Sequence, residues 1–515
     1  MAWALESVGI TRGVMRKYGI TREKLNIVTS LMNQAVTLAC GILIPHMLIS
    51  TYGSEAYGIS VSITQFLSYI SLLEGGIGGV ARAELYQPLA AGDAAGISGV
   101  YRAERRFFQH ISLIFVLYSI VLGLIYPYIA HVTLFSRTYV FGLVFVIGMS
   151  TLAQYMGGLT NLTLLIADQH VYVNNIILIA TTIANTAILI ILTRLGCDFL
   201  IVKLGSSLVF VTRPALYAFY VRHHYRIIRK PTKTVKLKQK WTGLGQHIAY
   251  FLHTNTDVML LTLFADAKLV AVYSVYNMII SNIRVLVEAF SGGMEAMFGE
   301  LFAKKEFDKL RREYRKYLIL LTSASLVLFG CAGILIVPFV RLYTSGINDV
   351  NYLQPEFALV LILAEAVNCM AFPAASLPVA ANQLKQTRWG AYGEAAVNLG
   401  LSCILVQFHP LLGFVAGTLA ATLFRGIYYI RYASRYILHI SMSESFLYFG
   451  GSLVLLNLMI FIGRLLIGHI NITNYGSWIL CGGVVFLISG MVVFAIYKIA
   501  DQQMREKYKN ETSDH

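Results

Sequence analysis

Apolar runs of about twenty residues, parted by short polar breaks, fill this 515-residue chain from Leu25 to Lys498. A helix needs roughly 20 apolar residues to cross the hydrocarbon core of a bilayer; a barrel strand needs about 10 and alternates in polarity. Long runs without alternation therefore predict an all-α polytopic membrane protein. Composition agrees. Charged residues make up 13% of the chain, about half the ~25% of a soluble domain. That leaves too little polar surface for a water-soluble enzyme, and 57% hydrophobic residues exclude a disordered chain.

The runs predict fourteen membrane helices, near 25–49, 58–79, 107–130, 138–163, 171–193, 200–221, 244–265, 271–293, 317–340, 357–381, 391–409, 411–430, 447–469 and 477–498. Turn residues mark the breaks, as at Tyr52-Gly53-Ser54, Leu195-Gly196 and Asn474-Tyr475-Gly476. The chain carries 41 Lys and Arg against 26 Asp and Glu. Alternate breaks, with the two terminal segments and helix-end Arg425 and Lys498, hold 33 of the 41, and the opposite breaks hold 4. The positive-inside bias makes the rich side cytoplasmic, so both termini are expected there. The polar 1–24 segment lacks the pattern of a cleavable signal, so the first helix reads as an uncleaved anchor. The six cysteines are scattered without CxxC spacing and read as packing residues, with no metal site expected.

An internal repeat is visible. Sliding Ile59–Gly79 by 214 positions onto Tyr273–Gly293 superposes Ser60/Ser274, Val61/Val275, Leu72/Leu286, Glu74/Glu288, Gly78/Gly292 and Gly79/Gly293. A unit of six helices is even, so both copies enter from the same side and form parallel repeats. The expected organisation is a 1–24 cytoplasmic segment, a lobe over 25–221, a basic linker 222–243 and a second lobe over 244–430. Two further helices span 447–498, and a cytoplasmic tail covers 499–515. Two such lobes are expected to flank a central cavity.

Several stretches carry a family likeness: YGSEAYGISVSITQFLSYISLLEGGIGG (52–79), GLGQHIAYFLHTNTDVMLLTLF (243–264), VYSVYNMI (272–279) and NQLKQTRWGAYGEAAVNLG (382–400). Over roughly 25–440 the chain resembles bacterial oligosaccharide flippases. These are the Wzx-like, polysaccharide branch of the multidrug/oligosaccharidyl-lipid/polysaccharide exporter superfamily. The resemblance implies a non-enzymatic, alternating-access protein of the bacterial inner membrane. It would move an undecaprenyl-pyrophosphate-linked oligosaccharide between leaflets for cell-surface polysaccharide assembly, such as lipopolysaccharide or capsule. It names the lipid-linked oligosaccharide as partner, with the polymerase or glycosyltransferases of the same pathway as candidates; the basic loops separately point to anionic membrane lipids. A cation-coupled multidrug exporter of the same superfamily is the alternative. A membrane polymerase or glycosyltransferase would typically need a sizeable catalytic loop, and the chain has none.

Ionisable groups inside a bilayer cost at least ~2.5–3.5 kcal/mol each, so they should face partners or water. Arg213 and Arg284 fall near helix centres, and their planar donor forks suit a diphosphate. Glu288, one turn beyond Arg284, offers internal pairing instead. Lys203 and Arg464 lie nearer outer ends, where snorkelling is expected; Lys203 is the better cargo candidate. Asn33 and Gln34 are polar positions of the first helix, and Pro45 can bend it. Asp257 with His253 could carry a proton or help bind Na⁺, as could Glu365; otherwise these are interhelical hydrogen-bonding groups. Glu74 reads as a gate residue or as a partner of Arg82. No cofactor is expected beyond such H⁺ or Na⁺ coupling. The basic segments 222–243 and 304–316 follow the topology bias, which argues against nucleic acid; Phe307, Leu310 and Tyr314 share one face, so 304–316 is expected to lie on the membrane surface.

Overall fold

The computed structural model describes residues 21–74, 76–130, 132–228, 244–289, 294–470 and 472–513. The expected 1–24 segment up to residue 20, the linker over 229–243 and the side chain of His253 lie outside the described residues. Contacts divide the chain into two compact units, Met1–Ile248 and Ala249–His515.

The first unit is built from α1 (Arg22–Ser68), α2 (Ile77–Ala91), α3 (Ala94–Ile129), α4 (Arg137–Ala153), α5 (Leu159–Ala167), α6 (Val171–Arg194) and α7 (Phe199–His224). Its first two predicted helices form one continuous element, but Gly53 inside it has φ 84° and ψ 164°. Glycine reaches that conformation at little cost, so the predicted Tyr52-Gly53-Ser54 break is where α1 turns from one crossing into the next. Pro45 sits buried within the first half. α3 starts at Ala94, a dozen or so residues before the predicted span. Asp93 caps it, accepting from the amides of Ala95 and Gly96 at 3.0 Å each, and no proline interrupts the polar turns before the apolar run.

The second unit holds most of α8 (Leu244–Phe264), then α9 (Ala267–Ala289), α10 (Met294–Ala303), α11 (Phe307–Tyr343), α12 (Pro355–Ala380), α13 (Leu384–Leu405), α14 (Pro410–Tyr432), α15 (Met442–Ile467) and α16 (Tyr475–Ser513). Segment 304–316 does not lie along a membrane surface as expected. From Phe307 it is the opening of α11, continuous with the span. Its apolar face is taken up by protein: Leu310 and Tyr314 are buried, the rings of Tyr314 and Tyr317 meet Phe298, and Phe307 meets Phe302 and His439.

Eleven helical stretches among the described residues are long and apolar enough to cross a membrane. Counting α1 as two crossings at Gly53, and adding α8 and α13, gives fourteen helices. The chain is an all-α, multi-pass membrane protein.

The same architecture recurs in both units. α3 begins at Ala94 and α11 at Phe307, 213 positions later; α6 begins at Val171 and α13 at Leu384, again 213 later. α5 ends at Ala167 and α12 at Ala380, with the same separation. The turns closing these helices match too. Gln169 (φ 59°) and Asn382 (φ 55°) are both left-handed. The amide after each reaches back across the turn: His170 to the Leu165 carbonyl at 2.8 Å, Gln383 to the Pro378 carbonyl at 2.7 Å. Gly92 and Lys305 repeat this ahead of α3 and α11. Such closures satisfy the last orphan carbonyls of a helix.

Candidate functional site

In the first unit the intramembrane cation Arg213 is placed by α7 against α6. Its Nε donates to Thr181 Oγ1 at 2.8 Å and a terminal nitrogen donates to Thr182 Oγ1 at 3.4 Å. The guanidinium also lies 4.2 Å from the centroid of the Phe210 ring. Hydroxyls and a ring face hold the fork in place without cancelling its charge. Among the described residues no carboxylate lies within ion-pair distance of Arg213. Lys203, also on α7, is half-buried with its Nζ 5.3 Å from the Phe199 ring centroid. Asn33 and Gln34 are half-buried on α1, and Asn33 Oδ1 is a buried acceptor with no partner among the described residues.

Glu74 follows α1, and Tyr155 donates to it at 2.5 Å. The Arg82 Nε donates to the Gly78 carbonyl at 3.3 Å. A second acid of this unit escapes the sequence reading. Glu104 on α3 is fully buried, with neither carboxylate oxygen hydrogen-bonded among the described residues. By sequence it falls in a polar break, because the apolar run starts only after Arg106; the early start of α3 carries it into the packed interior.

In the second unit Arg284 and Arg425 are paired with carboxylates. Arg284 on α9 meets Glu365 of α12 at 3.3 Å and Glu288, one turn along its own helix, at 3.9 Å. The other Glu365 oxygen is buried without a partner among the described residues. Arg425 on α14 meets Glu394 of α13 at 3.3 Å. Asp257 on α8 is buried; the Tyr273 hydroxyl donates to it at 3.0 Å and the Thr418 hydroxyl lies at 3.5 Å. Asn398 in turn lies 3.5 Å from Thr418. Arg284 thus serves two acids and Arg425 one, while Asp257 is held by hydroxyls. Arg464 does not snorkel as expected: it is half-buried, and its Nε donates to the Gly333 carbonyl of α11 at 2.8 Å.

Sequence reasoning misses Tyr273, Thr418, Glu394 and Arg425. Glu394 and Asn398 are one helical turn apart, a signal that could have been found. The repeat supplies a stronger one. Thr181 lies 213 positions before Glu394, and Asn185 lies 213 before Asn398. Arg213 and Arg425 occupy corresponding parts of α7 and α14. The two units therefore carry the same construction with one difference: arginine on threonine in the first, arginine on glutamate in the second.

With this geometry in hand, the chain can be set beside known proteins. Residues 244–392 match the family model MatE. No curated protein matches the chain by sequence. Among solved structures, the lipid II flippase MurJ in an inward closed conformation superposes with TM-score 0.68 at 12% identity, covering 92% of this chain and 99% of that one. The MATE multidrug transporter DinF-BH gives TM-score 0.57 at 15% identity, over 82% of this chain and 96% of that one. An outward-facing multidrug resistance MATE family transporter of the MOP superfamily gives 0.54 at 11%, over 85% and 96%. The chain has the fold of these transporters. That fold is MATE-like.

Proposed function

We propose that this protein is a flippase for an anionic lipid-linked oligosaccharide, the diphosphate-linked cargo of the Wzx-like branch, moved across the cytoplasmic membrane by alternating access. The observation that carries this reading is Arg213. A half-buried guanidinium held by hydroxyls keeps its positive charge available, and its planar fork fits phosphate oxygens two at a time. Lys203 and the unsatisfied Asn33 oxygen lie in the same unit and add polar groups for the cargo head. The likeness in fold to a lipid II flippase over 92% of the chain supports a lipid-linked substrate. The acid-rich cluster of the second unit is assigned to coupling: Asp257 and Glu365 would take up H⁺ or Na⁺, and displacement at Arg284 would report their occupancy.

The second reading, a cation-coupled drug exporter, has an observation in its favour. Four intramembrane acids against three arginines, Arg284, Arg425 and Arg464, suit a cationic compound as well as an ion. Reconstitution decides between the two. Liposomes carrying the protein would receive fluorescent undecaprenyl-pyrophosphate-linked glycan in one leaflet, and transfer would be timed. Flipping well above empty vesicles is expected, with Arg213→Glu abolishing it at normal protein level. No acceleration, combined with efflux of a cationic dye, would establish the exporter instead.

A further inference from the structure

Besides the charged clusters, the second unit carries a groove of about 770 Å³ between α11 and α16. Two stripes at four-residue spacing line it: Lys316, Leu320, Ala324 and Leu328 on α11, and Phe486, Gly490, Phe494 and Lys498 on α16. Residues four apart share a helix face, so each stripe is continuous. The helices run in opposite directions along the groove, and each stripe ends in its lysine at the same end. The middle is left open by small residues. A Cβ built on Gly490 would meet nothing within 4 Å.

Each stripe covers about twelve steps along a helix, or about 18 Å. One leaflet's share of a ~30 Å hydrocarbon core is about 15 Å. The groove thus has the length of one acyl layer, with its two cations at the interfacial end. That end belongs to the side on which the Lys and Arg bias falls. Lys316 contacts Glu313, three residues before it on the same helix, at 2.8 Å, but the lysine side chain is 65% exposed, so the pair holds it weakly. Among the described side chains, which end at Lys498 itself, that lysine has no carboxylate within ion-pair distance.

The geometry points to a binding site for an anionic glycerophospholipid: one acyl chain lies along the small-residue floor, and the phosphodiester sits between Lys316 and Lys498. Apolar lining alone would take any lipid. The paired lysines select the anionic one, by the same attraction that draws basic residues to anionic leaflets. This site is independent of what the protein transports.

The test uses the full chain in phosphatidylcholine nanodiscs with trace phosphatidylglycerol carrying a photoactivatable group near the acyl terminus. Crosslinks are mapped by peptide mass spectrometry. Phosphatidylglycerol should label 320–328 and 486–494 at least about tenfold more than a phosphatidylcholine probe with the same group. The K316Q/K498Q variant should cut that labelling about 25-fold, near fivefold per lysine. G490L, which fills the floor and leaves the charges in place, should also remove it; A324L serves as the second filler should G490L not fold. Equal labelling by both probes, or a ratio unchanged in K316Q/K498Q, would overturn the proposal. So would competition by undecaprenyl phosphate but not by excess phosphatidylglycerol, which would give the groove to a polyprenyl chain.

Discussion

The two units answer one problem in two ways. Each places an arginine on its sixth crossing helix against the helix before it. In the first unit Arg213 meets the hydroxyls of Thr181 and Thr182; in the second Arg425 meets the carboxylate of Glu394. A hydroxyl satisfies donors but leaves the charge, whereas a carboxylate cancels it. Desolvating an uncompensated cation is costly, so a pair would be the more stable arrangement if structure were the sole demand. The first unit keeps its charge open, and the second stores an excess of acids. That asymmetry between matched frameworks is what makes a division of labour testable: anionic cargo on one side, ion coupling on the other.

The largest effect is expected from importing the second unit's solution into the first. Thr181→Glu would give Arg213 the partner that Arg425 has. Losing a charged hydrogen-bonding partner for phosphate corresponds to about 3 kcal/mol, or roughly a hundredfold. Flipping in liposomes should fall by that factor, while Thr181→Ser retains most of the rate. The reciprocal Glu394→Thr should spare cargo affinity. Full activity in the Thr181→Glu protein would dissolve the comparison.

Next is Arg284, whose two carboxylates define the second unit. Arg284→Gln removes the cation that Glu365 and Glu288 both meet. Breaking a buried pair costs about 3–5 kcal/mol; with the Arg284 side chain 26% exposed, about 2 kcal/mol is expected. Thermal unfolding in detergent should show the loss, and Arg284→Gln/Glu365→Gln should recover most of it. A stable single variant would mean that the acids do not need the arginine. Asp257→Asn removes the carboxylate that accepts the Tyr273 and Thr418 contacts. Transport should become indifferent to imposed pH, Na⁺ or voltage gradients while slow exchange persists. An undiminished gradient response would move coupling elsewhere.

The helices and their polar breaks were legible because bilayer thickness and turn chemistry act locally. Gly53, Gly196 and the end of α12 fall close to where the residues put them. The α11 opening is misread for a physical reason: Phe307, Leu310 and Tyr314 form an apolar face, and such a face looks alike whether its partner is lipid or protein. Glu104 is lost in the same way, since a polar run hides a helix that Asp93 starts early. The charge pairs can be read within one helix, as for Arg284 and Glu288, but not between helices. Glu365, Glu394 and Thr418 come to their partners through packing that a single sequence does not display. The 213-residue separation is the exception. It carries Thr181 onto Glu394 and Asn185 onto Asn398, so the contrast between the units is already written in the sequence as a substitution between copies.

The smallest effect concerns the frame that holds α5, α6 and α7 of the first unit together. After α7, Tyr225 donates to Asp168 at 2.6 Å, and His170 lies 3.1 Å from the same carboxylate. Burial pushes the Asp168 carboxyl up, but the hydrogen bonds from His170 and Tyr225, with the charges of His170 and Arg22, bring it below its ordinary value. A carboxyl lowered by folding adds stability above its unfolded value near ~3.9 and loses it as pH falls through the folded one. The second unit has a neutral counterpart at the matching turn, where Tyr432 donates to Gln383 at 2.9 Å. Asp168→Asn should therefore cost about 1 kcal/mol at neutral pH, and the difference from wild type should begin to shrink as pH falls below about 4. Tyr432→Phe should cost a similar amount with no such acid limb. Unfolding midpoints measured from about pH 3 to 8 separate the two, and a shared pH profile would show that this turn, unlike the arginines, is used alike in both units.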